Sequence, residues 1–261
     1  MARIALIGGS GFDDPGILED IKEIKIGTPY GPLSSDISLG KINSVEIAVI
    51  NRHGKRHRIA PALVNYRANI WALKELGITH IIATTACGSL REEIQPGHIV
   101  FPDQFIDWTK SRKSSFFEGD QVAHISMAEP FCNNLRRTLM QVASELGIVH
   151  HGNATVITIE GPRFSTRAES RMFRTLGADI VNMSTVPEVV LAREAGICYA
   201  SIAMSTDYDS WHVSEAPVTW DMIVKTMNQN VESVKKIFFS SISKIGEEKC
   251  DCRTAIESAL V

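Results

Sequence analysis

The order of sequence patterns predicts an α/β fold: a single domain with a central mixed β-sheet flanked by helices. Short β-rich runs alternate with amphipathic stretches along most of the chain, which is typical of this class. Glycine and proline separate these segments at short intervals. With 261 residues, 44% of them hydrophobic, the chain can bury one sizeable core. No repeat or linker divides it, so we expect one domain over residues 1–245 and a short tail over 246–261.

Short apolar runs predict the strands. They cover residues 3–7, 45–50, 79–85, 97–102, 154–159 and 179–183, and a last run that begins near Ser201. Helical spacing of apolar residues predicts five helices. The first is expected between Pro61 and Gly77, because proline favours a first turn and glycine an end. Its expected buried face consists of Leu63, Tyr66, Ile70 and Leu73. The other four are expected over residues 131–146, 167–176, 186–195 and 219–245.

Composition and charge exclude several classes of function. A net charge of −3 gives no support for binding to nucleic acid or to a membrane surface. No apolar run approaches the roughly 18 residues needed to cross a bilayer. The start of the chain has one basic residue and a short apolar stretch, which indicates a first strand and not a signal peptide. We therefore expect a cytoplasmic protein with no nucleic-acid or membrane partner.

The five cysteines give no metal motif in the sequence. They stand at positions 87, 132, 198, 250 and 252. No Cys-x-x-Cys pair occurs, and Cys250-Asp-Cys252 is too tight for the usual zinc spacing, so no metal is expected. A labile redox pair and one end of a disulfide both fit the tail pair.

The clearest candidate for chemistry is the segment SIAMSTDYDSW at residues 201–211. Asp207 and Asp209 end an apolar run, and residues two apart at a strand end point the same way. Two carboxylates at the mouth of a buried sheet are costly unless a ligand offsets their desolvation. Either a polar turn or a ligand site fits this segment taken alone.

Three further polar turns follow predicted strands. Residues 8–11, GGSG, place Ser10 in a turn whose glycines would let a phosphate approach the backbone. The segment matches neither the dinucleotide-binding nor the Walker motif. A tight turn without a ligand is an equally good interpretation. In residues 52–57, RHGKRH, Arg52 and His53 could bind an anion. Gly54 argues against a helical zinc motif. A solvated basic loop is the alternative. Residues 84–89, TTACGS, are the third; Cys87 has only neutral neighbours, which argues against a nucleophile.

Ligands of such sheets gather at the carboxyl ends of the strands, where all four motifs lie. One composite site with two poles is therefore predicted. One pole binds phosphate, and the other binds a group that offers hydrogen-bond donors to the carboxylates.

Long segments of the chain resemble the trimeric purine nucleoside phosphorylase superfamily, and most closely its 5′-methylthioadenosine phosphorylase branch. They are NRHG at 51–54, VNYRANIWALKELG at 64–77, TTACGSLREEIQPG at 84–97, TIEGPRFSTRAES at 158–170 and NMSTVPEVVLAREAGICYASIAMSTDYDSW at 182–211. The resemblance implies a partly barrel-like sheet and phosphorolysis of a purine nucleoside without a cofactor, phosphate being a co-substrate. It also implies a homotrimer or homohexamer.

The resemblance assigns residues to three subsites. Phosphate would be bound by Ser10, Arg52, His53, Thr85, Ala86 through its backbone, and Ser184. The purine would be bound by Phe164, Asp207 and Asp209, with Asp207 as the acid that protonates N7. The ribose and its 5′ substituent would be bound by Met183, His57, His124 (reaching a neighbouring subunit's ligand), Trp220, Ile223 and Val224.

Two positions predict the base. Phosphorylases for inosine and guanosine carry Asn where Asp207 stands and Glu where Ser165 stands. Two carboxylates suit a 6-amino group and repel a 6-oxo group, so adenine is expected. The apolar 5′ wall suits a methylthio group, while adenosine, inosine, guanosine and 5′-methylthioinosine are the alternative substrates. A catalytically idle nucleoside-binding protein is the alternative from another class.

Overall fold

The computed structural model describes residues 3–8, 18–212, 219–246 and 250–261. Within them, eleven strands form one mixed sheet. The strands are β1 (Ile4–Gly8), β2 (Glu19–Ile24), β3 (Ile37–Ile42), β4 (Val45–Asn51), β5 (His80–Ser89), β6 (Ile99–Val100), β7 (Gln104–Trp108), β8 (His150–His151), β9 (Thr155–Ile159), β10 (Ile180–Asn182) and β11 (Cys198–Tyr208). The α-helices of the same residues are α1 (Tyr66–Glu75), α2 (Asn133–Glu145), α3 (Arg167–Thr175), α4 (Thr185–Glu194) and α5 (Trp220–Ile242).

Strand β5 determines where the sheet opens. It pairs in parallel with β11 along its whole length, from His80 to Ser89. On its other edge it pairs with β1 only as far as Ala83. The antiparallel strand β10 takes over that edge at Gly88. Residues 84–87 therefore have a strand neighbour on one edge only, which leaves space for a ligand at a change of strand order.

The sheet is covered on both faces because its central strands alternate apolar side chains to either side. Ile7, Ile50 and Ile81 pack on one face, with α1 and α4. Leu6 and Ile82 pack on the other face, with α2 and α5. A smaller apolar cluster lies beneath α3. The predicted mixed α/β sheet is thus confirmed, and the core holds the rim of the site rigid.

The structure differs from the sequence prediction in the first predicted helix and in one strand end. Pro61–Leu63 is a separate 3-10 turn, and α1 begins at Tyr66, capped by the Asn65 side chain on the Ala68 N–H. Leu63, which was predicted to be buried, is 77% exposed. The strand predicted to stop at residue 85 continues to Ser89, because β11 and then β10 pair with its second half.

The sequence prediction also missed four strands, β2, β3, β7 and β8. β2, with the sequence EDIKEI, is almost wholly exposed, so it carries no apolar signal. In the described parts of the chain, no helix has the length and apolar character that crossing a membrane requires.

Candidate active site

The open stretch of β5 forms one wall of a pocket of about 120 Å³ that opens to solvent. Most of the residues that the sequence assigned to the site line it. These are Arg52, His53, His57, Thr85, Ala86, Phe164, Met183, Ser184, Asp207, Asp209 and Ile223. Segments far apart in the chain are therefore brought to one place.

A hydroxyl group from the open stretch of β5 and one that follows the end of β10 meet at the predicted phosphate pole. Thr85 Oγ1 lies 3.0 Å from Ser184 Oγ. Asn182 Nδ2 donates to Thr85 Oγ1 at 3.3 Å, and its Oδ1 accepts from Thr158 Oγ1 at 2.9 Å. Ser184 directly precedes α4, and its side chain makes no capping bond there. Thr85 Oγ1 also donates to Ala86 O at 3.0 Å. Both residues line the pocket, where an anion would compete as an acceptor for their hydroxyl protons.

The Arg52 guanidinium is bound more tightly by the protein than the sequence suggested. Its Nε and Nη2 donate to both oxygens of buried Glu188, at 2.7 and 2.8 Å, and its Nη1 donates to Thr84 O at 2.8 Å. Tyr199 donates to the same carboxylate at 2.8 Å. Burial lowers the pKa of Arg52, but Glu188 more than offsets this and the net pKa is raised. The planar fork expected to hold phosphate thus holds Glu188, and two N–H groups of the guanidinium are left.

His53 has its ring orientation fixed by one backbone contact. Its Nδ1 lies 2.9 Å from Ile59 O. A carbonyl oxygen only accepts, so Nδ1 carries the proton. Burial, followed by the nearby charge of Arg52, lowers the pKa of His53 to about 3. The neutral ring therefore leaves Nε2 as an acceptor, whereas the sequence predicted a donor to phosphate.

Asp207 lies at the end of β11, beside an irregularity in the pairing with β5 between Ser205 and Asp207. Burial, opposed by a hydrogen bond from Thr206 and assisted by Asp209, raises the pKa of Asp207 to about 7. Thr206 Oγ1 donates to Asp207 Oδ2 at 2.7 Å. Oδ1 is then the oxygen that holds a proton near neutral pH. A Cβ atom on Gly88 would lie only 3.1 Å from this Oδ1, so glycine keeps the approach to it open.

Asp209 follows the strand and is fixed by its backbone N–H, which donates to Ser89 O at 3.0 Å. Burial raises its pKa as well. By ordinary hydrogen-bond geometry, its buried Oδ2 and the buried Oγ of Ser165 have no partner among the described residues. The hydroxyls of Ser170 and Ser165 nevertheless lie close enough to the Asp209 carboxyl to oppose the rise of its pKa. Ser210 Oγ donates to Ser165 O at 2.7 Å and holds the two segments together. An acceptor and a hydroxyl without partners in one pocket indicate a polar ligand.

Four assigned residues are not placed in this pocket. Ser10 lies outside the described residues, and Trp220 is described only as the first residue of α5. Val224 is half-buried one position beyond Ile223 and does not line the pocket. His124 lies in a different part of the surface, where its backbone N–H donates to Ala259 O at 2.8 Å. The sequence assigned His124 to a neighbouring subunit's ligand, and that stays a prediction.

Arg112 was missed by sequence reasoning. Its side chain is 2% exposed. Nη1 donates to Met183 O at 2.8 Å and to Val186 O at 2.6 Å, on both sides of Ser184. Nη2 donates to two carbonyls at the end of β9, those of Ile159 and Glu160. Its sequence neighbourhood is exposed and polar, so no local pattern distinguishes it from a surface arginine.

Comparison with known proteins identifies the family. The description "Phosphorylase superfamily" belongs to the family model that matches residues 3–243. S-methyl-5′-thioadenosine phosphorylase of Danio rerio is 55% identical over 248 residues, 93% of this chain and 89% of the fish protein. The protein of that name from Saccharolobus solfataricus is 52% identical over 265 residues, 100% of this chain and 97% of its own length.

Solved structures give the same result. Methylthioadenosine phosphorylase from Schistosoma mansoni in complex with adenine is similar with a TM-score of 0.93 and 40% identity, covering 99% of each chain. A methylthioadenosine phosphorylase from an Antarctic soil metagenomic library has a TM-score of 0.94 and 43% identity, covering 100% of this chain and 92% of its own. The chain therefore belongs to the phosphorylase superfamily and, within it, to the S-methyl-5′-thioadenosine phosphorylases.

Proposed function

We propose that this protein cleaves the N-glycosidic bond of 5′-methylthioadenosine with phosphate, giving adenine and 5-methylthioribose 1-phosphate. One observation carries the proposal: the hydroxyl pair Thr85 and Ser184 and the carboxyl pair Asp207 and Asp209 line the same pocket. The hydroxyl pair supplies donors for a phosphate. In the carboxyl pair, Asp207 supplies an acid for the purine and Asp209 supplies an acceptor for its amino group. The reaction needs no cofactor in this proposal, because phosphate is itself the nucleophile.

The chemistry follows from the two poles. A phosphate oxygen attacks C1′ as the bond from C1′ to N9 of the purine breaks, and the electron pair of that bond moves into the base. Positive charge develops on the sugar, and a phosphate held beside it compensates that charge. Asp207 transfers its proton to N7, so adenine leaves neutral. Burial keeps Asp207 protonated near neutral pH, and this is what the step requires.

The buried Oδ2 of Asp209, which lacks a well-formed hydrogen bond among the described residues, supports selection of adenine. A 6-amino group donates to a carboxylate, whereas a 6-oxo group meets it as a second acceptor. At the sugar, Ile223 and Met183 line the pocket and offer an apolar surface to the methylthio group. An apolar pocket rejects an added hydroxyl by only about a hundredfold. Adenosine is therefore a second candidate substrate. The similar protein from Schistosoma mansoni is described as an adenosine/methylthioadenosine phosphorylase.

Steady-state phosphorolysis of 5′-methylthioadenosine, adenosine and inosine tests the proposal. We expect kcat/KM to fall in that order. Inosine or 5′-methylthioinosine as the best substrate would overturn the adenine assignment.

The role of Asp207 has its own test. Asp207→Ala should lower kcat on 5′-methylthioadenosine by about 10²-fold or more, within the range for removal of a general acid. Adenine binding, measured by calorimetry, should change far less. Turnover close to the unsubstituted level would contradict the assignment of Asp207 as the acid, and a protein that binds nucleosides without turning them over would contradict the proposed function itself.

We also propose that the protein acts as a homotrimer or homohexamer in the cytoplasm. His124 does not line the pocket of its own chain, so it would reach a ligand only in another copy. Light scattering of the purified protein measures the number of copies. His124→Ala should raise the KM for 5′-methylthioadenosine while leaving the KM for phosphate near its original value.

A further inference from the structure

Four of the five cysteines meet at a place that the active site does not use. Cys132 precedes α2, Cys198 begins β11, and Cys250 and Cys252 belong to the tail. Their four Sγ atoms all lie within 4.8 Å of one another, and the pair from Cys198 and Cys250 is 3.2 Å apart. All four are unbonded thiols. Three are buried, and Cys250 is half-buried.

The arrangement is a single cluster and does not divide into two pairs. Cys132 interacts with both Cys198 and Cys252, while Cys198 is also in contact with Cys250. Zinc binds thiolate sulfur at about 2.3 Å in a tetrahedron, so its four sulfurs lie about 3.8 Å apart. The Cys198–Cys250 pair, at 3.2 Å, is shorter than this value, and no pair in the cluster exceeds 4.8 Å. Small side-chain rotations would bring them to one metal ion.

The surroundings suit a cluster of thiolates. Arg193 Nη1 lies 3.7 Å from Cys252 Sγ, and its Nε donates to Ser126 O at 2.9 Å, which fixes the guanidinium. Cys132 directly precedes the first turn of α2, where the helix dipole favours negative charge. Zn²⁺ with four thiolates carries a net negative charge, and donors of this kind stabilise such a charge around a metal.

From this geometry we propose that Cys132, Cys198, Cys250 and Cys252 form a tetrathiolate site for one Zn²⁺ ion. The ion would be structural, because four protein ligands leave no open position for a substrate. It would join α2 and β11 to the tail. The tail then runs on to residue 260, which forms an isolated β-bridge with Ala123, next to His124. A metal site here would therefore also fix the segment that carries His124.

Metal analysis of the whole protein tests the proposal. We expect about one zinc per chain by plasma mass spectrometry after purification without chelators. The intact mass of the denatured, metal-free chain should include the hydrogen of every thiol. Cys252→Ser and Cys198→Ser should each lose most of the zinc. Cys87→Ala is the matched control, because Cys87 lies outside the cluster, and it should retain the metal.

A second measurement uses the unsubstituted protein, so it tests the proposal even if the cysteine variants do not fold. Refolding the unsubstituted chain with Co²⁺ in place of zinc should give the intense sulfur-to-cobalt absorption of thiolate coordination, and 4-(2-pyridylazo)resorcinol should detect zinc released when the thiols are blocked. An intact mass lowered by the hydrogens lost to disulfide bonds, with no metal, would overturn the proposal. Four freely reactive thiols without metal would also overturn it.

Discussion

Asp207 keeps its proton mainly because it is buried, and only secondarily because Asp209 lies nearby. The order of these causes matters for the mechanism. An acid maintained by burial is maintained in every state that excludes water, including the state in which the purine covers it. Thr206 opposes the effect by donating to one oxygen, and in doing so it leaves the other oxygen to face the base.

The rate should therefore depend on pH in a defined direction. The pKa of Asp207 is raised to about 7, so the acid is lost as pH rises through 7 and kcat should fall. The group binds more protons in the folded than in the unfolded chain between its ordinary pKa and about 7. The contribution of Asp207 to the free energy of unfolding should consequently decrease with rising pH across that window. His53, whose pKa is lowered to about 3, contributes in the opposite direction below its ordinary pKa, so the Asp207 contribution is measured as the difference between the unsubstituted protein and Asp207→Asn. Denaturant titrations and kcat profiles from pH 5 to 9 check both.

Asp207→Asn is the control for this prediction, because it has no proton to lose. It should lack the Asp207 contribution to the fall in stability while retaining the shape of the side chain. A kcat of the unsubstituted protein that rises steadily through pH 7 would contradict the assignment.

At the residue scale, the sequence predicted the aspartates better than the partners of Arg52. A carboxyl pair after an apolar run is a local pattern. Glu188 lies 136 positions away from Arg52, inside a helix that reads as apolar, so only the folded chain shows that it occupies the guanidinium. The protonation of the His53 ring is likewise visible only in the folded chain, because the carbonyl of Ile59 accepts from Nδ1 and leaves Nε2 as the acceptor.

Arg112 acts at the scale of elements, because its guanidinium donates to the ends of β9 and β10 and to the start of α4. These ends carry Met183 and Ser184. A lysine has the charge but lacks the planar fork that reaches several carbonyls at once. We therefore propose that Arg112 is a positioning residue for the predicted phosphate pole.

Arg112→Lys should raise the KM for phosphate by at least about tenfold, since hydrogen bonds from a charged group contribute ~1.5–3 kcal/mol each. The KM for the nucleoside should change less, because Asp209 and Ser165 are fixed from the other side of the pocket. Initial rates measured at varied concentrations of phosphate and of nucleoside separate the effects on the two KM values. Arg137→Lys, at an exposed position on α2, is the matched control and should leave both constants unchanged. Equal increases in both would indicate a general loss of structure.

The elements that the sequence missed share a physical cause. Strand β2 is held by backbone pairing with β3, and its exposed side chains have no periodic pattern. The second half of β5 was interpreted as a turn because glycine and hydroxyl residues are typical of loops. Pairing with β11 keeps those residues in a strand, which is why Thr85 and Ala86 are held rigidly at the pocket.

At the scale of the whole molecule, the sequence predicted the class of fold and the convergence of its polar motifs. Both come from rules that hold along the chain: alternation in strands, helical spacing, and ligand sites at strand ends. Contacts between distant segments are different in kind. The meeting of Cys132, Cys198, Cys250 and Cys252 joins the tail to two central elements, and no spacing within the chain indicates it.

The salt bridges behind the phosphate pole have a consequence for the response to ionic strength. Arg52 is neutralised by Glu188, and Arg112 lies 3.6 Å from a Glu160 oxygen. With His53 neutral, these groups carry no net charge, so we expect phosphate to be attracted by oriented donors over short distances. Salt screens attraction between separated net charges and weakens short, buried hydrogen bonds far less. The KM for phosphate should thus change by less than about twofold between low and moderate potassium chloride, as initial rates would measure; a steep rise would show that long-range charge draws phosphate in.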